Sequence, residues 1–381
     1  MLTEVAYATK QGGTANDKFA PVMQEAFFYT TIQFIKNIKN WEDGRMVNKK
    51  SFKLFTFILV AVIAISISAC SDGGKSSKSS SSSSDVFNIG IIQYMEHVAL
   101  DQAREGFIDA LKDNGYIDGE NIKIDYQNAQ GDQSNLSTIS DRFISNKCDL
   151  ILAIATPAAQ AIAGKTTEIP ILATAITDFE AARLVKSNDA PGGNVTGTTD
   201  MNPIKEQIDL LVKLVPDAKT VGVLYTSSED NSILQASIAK EAIENLGLKY
   251  VEVTVTNSND VQQATQSIVE QCDAIYIPTD NVFASAMPVV HGITSQSKTP
   301  VICGEAGMVE SGGLATLGIN YYDLGYQTGE MAIKILKGEA EPATMPIESA
   351  TGFDFAINGA VAEEIGIEIP EDLQQYVIKD E

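Results

Sequence analysis

From Val86 onward, short apolar runs alternate with segments whose apolar positions recur at helical spacing. Phe87-Asn-Ile-Gly-Ile-Ile92 is a run of the kind that parallel strands bury on both faces. In Asp101–Asn114 the residues Ala103, Phe107, Ala110 and Leu111 fall on one helical face, and Asn114-Gly115 supplies a stop. Strand Ile122–Tyr126, helix Asn135–Ser145, strand Leu150–Ile154, a helix from Pro157, strand Pro170–Ala175 and helix Phe179–Lys186 are predicted next. That order calls for a parallel sheet with helices on both faces. It then recurs. Thr220-Val-Gly-Val-Leu224 answers Phe87–Ile92, and helix Ile233–Asn245 ends at Leu246-Gly247 as the first ended at Asn114-Gly115. Strand Tyr250–Val255 and helix Val261–Glu270 follow, and Cys272-Asp-Ala-Ile-Tyr-Ile277 answers Cys148-Asp-Leu-Ile-Leu-Ala153. Gly90 is as far from Gly222 as Gly115 is from Gly247. Such ordered landmarks predict two similar α/β lobes, with a further helix at Met331–Leu336 and a strand at Phe353–Ile357.

The chain ahead of this body has a different pattern. Lys49, Lys50 and Lys53 precede Leu54–Ala69, which carries no charge and ends at Cys70. A basic start, an apolar run and small residues at the exit describe a secretory signal. The run is short for a bilayer span, which needs about 20 residues. Ile67-Ser-Ala-Cys70 resembles a bacterial lipobox, which implies that the Cys70 thiol is lipidated and becomes the mature N-terminus. The alternative is an uncleaved anchor. A diacylglycerol cysteine brings at least two chains, enough for stable anchoring. Residues 46–69 are thus read as the signal peptide and 70–85 as a serine-rich tether reaching roughly 20 Å. Residues 1–45 are expected to be a mis-called extension without a fold of its own. Met46 is a natural start, and Trp41-Glu-Asp-Gly-Arg45 can be encoded by codons that contain a bacterial ribosome-binding sequence a few bases ahead of it.

Composition narrows the function. Of 27 basic and 50 acidic residues, 8 and 5 precede Cys70, so the remainder carries a net −26. Such a surface repels phosphate backbones, and no nucleic-acid partner is expected. The chain has two histidines, His97 and His291, in unrelated contexts. Histidine is the usual general base and the commonest metal ligand, so neither a hydrolase nor a metal site is expected. Cys148, Cys272 and Cys303 form no CxxC and read as small buried hydrophobes. Gly164-Lys165-Thr166 lacks the leading glycine of a phosphate loop, that position being Ala159.

Open α/β sheets bind ligands beyond the carboxyl ends of their strands. Nearly every strand exit here is polar. Gln93, Tyr94, Glu96 and His97 follow the first strand, and Thr156, Pro157 and Ala158 follow Leu150–Ala155. Asp178 follows Pro170–Ala175. In the second half, Tyr225, Ser227, Ser228 and Asn231 follow Thr220–Leu224, Asp280 and Asn281 follow Ile275–Pro278, and Glu305 follows Val301–Cys303. This set suits a small zwitterion. Hydroxyls and free N–H groups at Thr156-Pro157 and Ser227-Ser228 match a carboxylate. Asp178, Asp280 and Glu305 match an ammonium. Tyr94, Tyr225, Phe283 and Tyr321 could flank a ring. The bland counterparts are helix caps at Ser228 and Asn231, a turn at Asp280, and tyrosines at the edge of the core.

The same loops resemble a known family. Ile89-Gly-Ile-Ile-Gln93-Tyr-Met-Glu96-His97-Val-Ala-Leu-Asp101-Gln-Ala-Arg-Glu-Gly106-Phe107 is similar to the opening of the substrate-binding lipoproteins of an ABC transporter family. Some of its members bind tryptophan or other aromatic amino acids. Ala155–Gln160, Ala175–Asp178, Tyr225–Ser232, Pro278–Asn281 and Gly318-Ile-Asn-Tyr321 fit as well. The resemblance implies a type I periplasmic-binding-protein fold, with crossovers near Thr199, Ile319 and Pro346. The lobes would then comprise 86–199 plus 320–345 and 200–319 plus 346–381. It further implies a monomeric, lipid-anchored collector on the extracytoplasmic face of the cell membrane. That collector would pass an amino acid-like solute, best an aromatic amino acid, to an ABC permease and its ATPase subunit. No cofactor and no catalysis are expected. The alternatives are a ligand-sensing receptor lipoprotein feeding a signalling system, and binding of a nucleoside or other small solute.

Overall fold

The two halves of the repeat build two six-stranded sheets of matching order. The structure is a computed structural model that describes residues 86–378. The readings placed on residues 1–85, Cys70 included, lie outside the described residues. The first sheet joins β1 (Phe87–Gln93), β2 (Ile122–Asn128), β3 (Leu150–Ile154), β4 (Ile171–Ile176), β5 (Val195–Thr199) and β11 (Glu348–Ser349), in the order β11-β5-β4-β3-β1-β2. The second joins β6 (Thr220–Thr226), β7 (Lys249–Val255), β8 (Ala274–Ile277), β9 (Val301–Cys303), β10 (Ala315–Gly318) and β12 (Asp354–Ile357), in the order β12-β10-β9-β8-β6-β7. Every neighbouring pair is parallel except β10 and β12. Central strands β3 and β4 are buried along their whole length, which is why the sequence shows them as unbroken apolar runs.

The repeat has a packing cause. A side chain at Gly90 would meet the Phe143 ring at 2.7 Å, and one at Gly222 would meet Cys272 and Ile268 at 2.8 Å. Each lobe thus lets a helix lie directly on its first strand. Gly115 and Gly247 follow helices α1 (Val98–Asp113) and α5 (Asp230–Asn245) with φ of 83° and 75°, a left-handed stop open to glycine.

The chain leaves the first sheet after Thr199. Helix α4 (Ile204–Leu214), to which the sequence reading assigned no element, buries Ile204, Ile208 and Leu211 in the core of the second lobe. It returns after Gly318 into α10 (Tyr321–Leu336), which packs on α1. This contact is close enough to exclude side chains. A Cβ at Gly106 would collide with the Tyr322 carbonyl oxygen, and one at Gly325 with that of Ala103. The last crossing differs from expectation. Pro346 precedes β11, which still pairs with β5, so the chain crosses within 350–353 instead. Helix Phe179–Lys186 is also absent. The segment forms turns, with Ala181 N–H capped by Asp178 Oδ1 and Arg183 at φ 60°, which no continuing helix accommodates.

Gly325→Leu is expected to force α1 and α10 apart and lower unfolding free energy by about 3 kcal/mol or more. Urea unfolding followed by far-ultraviolet dichroism measures it; an unchanged midpoint would refute the close-contact account.

Candidate ligand-binding site

The two lobes face each other across a polar cavity at the carboxyl ends of both sheets. A cavity of about 20 Å³, partly open to solvent, is lined by His97, Leu100, Ala175, Thr177, Asp200 and Tyr321 on one side. Asn231, Thr279, Asp280, Asn281, Ala284 and Glu305 line the other. Each polar group arrives from a strand exit, a helix start or a crossing. His97 is the extended residue ahead of α1. Thr177 follows β4, and Asp200 follows β5 where the chain leaves the first sheet. Asn231 opens α5. Asp280 caps α7 (Asn281–Ser285), Glu305 caps α9 (Ala306–Glu310), and Tyr321 begins α10.

The lobes touch. Gln235 Nε2 donates to Thr177 Oγ1 at 3.0 Å and to Thr279 Oγ1 at 2.5 Å, binding the β4 exit to the β8 exit. His97 Nε2 lies 3.3 Å from Asn281 Oδ1, and at the rim Gln160 Nε2 donates to Asp230 Oδ2 at 2.9 Å. The backbone comes close as well: a Cβ at Gly307, in α9, would stand 2.7 Å from Val98 Cβ, in α1.

Four carboxylates are buried around this cavity, and their commitments differ. Asp280 accepts Thr226 N–H at 2.6 Å, Thr226 Oγ1–H at 2.8 Å and Phe283 N–H at 2.9 Å. Glu305 accepts the N–H groups of Gly307 at 2.5 Å and Met308 at 2.9 Å. Both serve as helix caps. Asp200 Oδ2 accepts Tyr321 O–H at 2.7 Å while Oδ1 has no partner. Glu229 Oε2 accepts Asn281 Nδ2–H at 2.5 Å, and Oε1 has none. Burial raises the carboxyl pKa of Asp200 and Asp280. Burial, with the charge of Asp280, raises Glu229 to about 8, and burial raises Glu305 to about 7. Burial lowers His97 to about 4, leaving it a neutral imidazole.

Of the residues selected from sequence, His97, Asn231, Asp280, Asn281, Glu305 and Tyr321 come together in the cavity wall. The others lie outside it. Gln93 is buried and donates to Met95 O and Asp101 Oδ1, with Arg104 donating back to it, so it holds the β1 exit in shape. Tyr94 is in the core with its hydroxyl toward Gly131 O, and Glu96 is exposed. Thr156, Pro157 and Ala158 are buried in the first turn of α3 (Thr156–Ala163). Asp178 caps the turn after β4. Tyr225 donates to Glu252, while Ser227 and Ser228 are exposed and donate to Val255 O and Thr256 O. Residue-by-residue reading did not select Thr177, Asp200, Glu229 or Thr279. Thr177 and Thr279 stood at strand exits. Asp200 sits on the crossing expected near Thr199, where the strand-exit rule assigns no site residue.

Two expectations follow. A carboxyl with a raised folded pKa favours folding below its unfolded value, and that contribution is lost as pH rises through the folded one. For Glu229 the window runs from 4.5 to about 8. The melting temperature of the empty protein should fall across it, and fall less in Glu229→Gln; identical profiles would refute the burial of this carboxyl. Gly307→Ala should hold the lobes apart at Val98. Its solution scattering radius should stay larger than wild type when ligand is added, and its affinity should drop at least about tenfold; full compaction would contradict the contact.

Comparison with known proteins agrees with this geometry. Residues 88–380 match the family described as ABC transporter substrate binding protein. A tyrosine-binding protein of Clostridioides difficile is 41% identical over 338 residues, covering 87% of this chain and 98% of its own. The Streptococcus pneumoniae ABC domain in complex with L-Trp is 41% identical, superposes with a TM-score of 0.74, and covers 77% of this chain and 99% of its own. A ligand-free, open substrate-binding protein with adhesive properties from Clostridium difficile is 47% identical, yet its TM-score is 0.60, with coverage of 78% and 100%. Remoter structures share the type I periplasmic-binding-protein fold alone.

Proposed function

This chain belongs to the ABC transporter substrate binding protein family, and from that premise we propose that it captures an aromatic amino acid in the cleft between its lobes. The carrying observation is the buried, unpaired Asp200 Oδ1 in the cavity wall, beside a Tyr321 hydroxyl that fixes the other oxygen. A lone carboxylate oxygen shut away from water calls for a cationic donor, and an α-ammonium is one. Leu100, Ala175 and Ala284 offer apolar wall to the remainder of the ligand. The relatives that bind tyrosine and L-Trp support an aromatic side chain.

Burying a ring of roughly 150–250 Å² contributes about 4–6 kcal/mol. Micromolar affinity needs about 8 kcal/mol net of the costs of binding. Both charged ends of the ligand must therefore be well paired, and Asp200 is the group that answers the ammonium.

In this reading the protein binds and delivers, and the chemistry of transport belongs to the permease and its ATPase. Asp280 and Glu305, the acids nearest a catalytic role, are tied up as helix caps. The chain is secreted through Leu54–Ala69, lipidated at Cys70 and held on the outer face of the membrane by its serine tether. It acts there as a monomer.

Calorimetry of the purified protein against the twenty amino acids and purine nucleosides should give heat with one or more aromatic amino acids. Cys70→Ala should move the protein from the membrane fraction to the soluble one. Silence with every aromatic amino acid would defeat the ligand assignment, and unchanged fractionation the anchor.

A further inference from the structure

The cavity wall carries hydrogen-bonding atoms that nothing in the protein satisfies. Among the described residues, His97 Nδ1, Asp200 Oδ1, Glu229 Oε1 and Asn231 Oδ1 around the cleft are buried without a partner. Two of these atoms are acceptors whatever the pH near neutrality. Asn231 Nδ2 donates to the Thr279 carbonyl oxygen at 3.1 Å. A carbonyl can only accept, so the amide orientation is fixed and Oδ1 is the unpaired atom. Asn281 Nδ2 lies 2.5 Å from Glu229 Oε2, an oxygen also approached by the Asn281 backbone N–H and by Asn231 Nδ2. Asn281 therefore turns Oδ1 toward His97 Nε2, which must carry the imidazole proton. His97 Nδ1 is left as a bare lone pair, on a ring that burial keeps neutral.

The unpaired acceptors thus divide by charge and by position. Asp200, with Tyr321 donating to it, stands on the crossing segments and offers a carboxylate. His97 and Asn231 stand at the starts of α1 and α5, on opposite lobes, and offer neutral acceptors. An ammonium is matched by the first. A neutral O–H or N–H is matched by the second.

We infer that the cleft reads a second hydrogen-bond donor on its ligand through His97 Nδ1 and Asn231 Oδ1, and so selects aromatic amino acids whose ring bears an O–H or N–H over phenylalanine. This rests on the aromatic ligand proposed above. A phenol or indole donor pairs a dehydrated acceptor. A bare phenyl edge covers it and leaves it unpaired, and sites built to hydrogen-bond such a group reject the analogue lacking it by up to about 10⁴–10⁵-fold. With neutral partners the expected preference is at least about tenfold.

The test is titration calorimetry of the wild-type protein with tyrosine, tryptophan, phenylalanine and 4-fluorophenylalanine, the last filling the para position without a donor. The inference expects tyrosine or tryptophan to bind at least about tenfold tighter than both donor-free analogues. It also expects the tyrosine-to-phenylalanine ratio to shrink in Asn231→Leu and in His97→Phe. Phenylalanine binding within threefold of the better donor-bearing ligand would overturn the inference and leave the aromatic reading standing. No binding of any aromatic amino acid would overturn that reading itself. An unchanged ratio in both folded variants would overturn the assignment to these two atoms. The wild-type series decides the matter should either variant fail to fold.

Discussion

The close contact of α1 with α10 is the constraint on which the rest of the structure depends. These helices are more than two hundred residues apart in sequence, and the chain builds most of a second lobe between them. Gly106, Gly325 and Gly329 remove the side chains that would hold them apart. The result reaches beyond stability. His97 precedes one helix and Tyr321 begins the other, so the packing of two backbones sets both residues in the cavity wall. It also returns the chain to the first lobe at the crossing beside Asp200, whose carboxylate Tyr321 then orients.

The second organising fact is the company that buried carboxylates keep. A carboxylate away from water needs donors. Asp280 and Glu305 find them in backbone N–H groups at helix starts, and those bonds stiffen the second lobe's wall. Asp200 and Glu229 each find donors for one oxygen only. Of these two, only Asp200 lines the cavity, so it is the acid left open to a ligand.

The lobes were legible in sequence because strands buried on both faces appear as unbroken apolar runs, and because Gly90 and Gly222 mark the same packing need twice. Local pattern failed where tertiary path decides. Phe179–Lys186 has helical composition, yet Arg183 takes a left-handed conformation and the segment turns back. Pro346 looked like a chain crossing, but β11 first adds an edge to the original sheet. The strand-exit rule selects His97, Asn231, Asp280, Asn281 and Glu305, which line the cavity together with Tyr321, named instead as a ring that could flank a ligand. It also returned Tyr225, Ser227 and Ser228, which sit at an exit but turn toward β7 and the loop that follows it. Thr226, between them, turns the other way and holds Asp280.

The unpaired acceptors of the cleft have a consequence for traffic at the membrane. Lobe closure without a ligand strands each of them in a dry space, at a cost of about 1–3 kcal/mol apiece. Contacts such as Gln235 with Thr177 and Gln160 with Asp230 return only about 1 kcal/mol each. If the chain works as proposed, this cost weighs against closure of an empty molecule, and a transporter that recognises the shut form would seldom be engaged by an idle carrier.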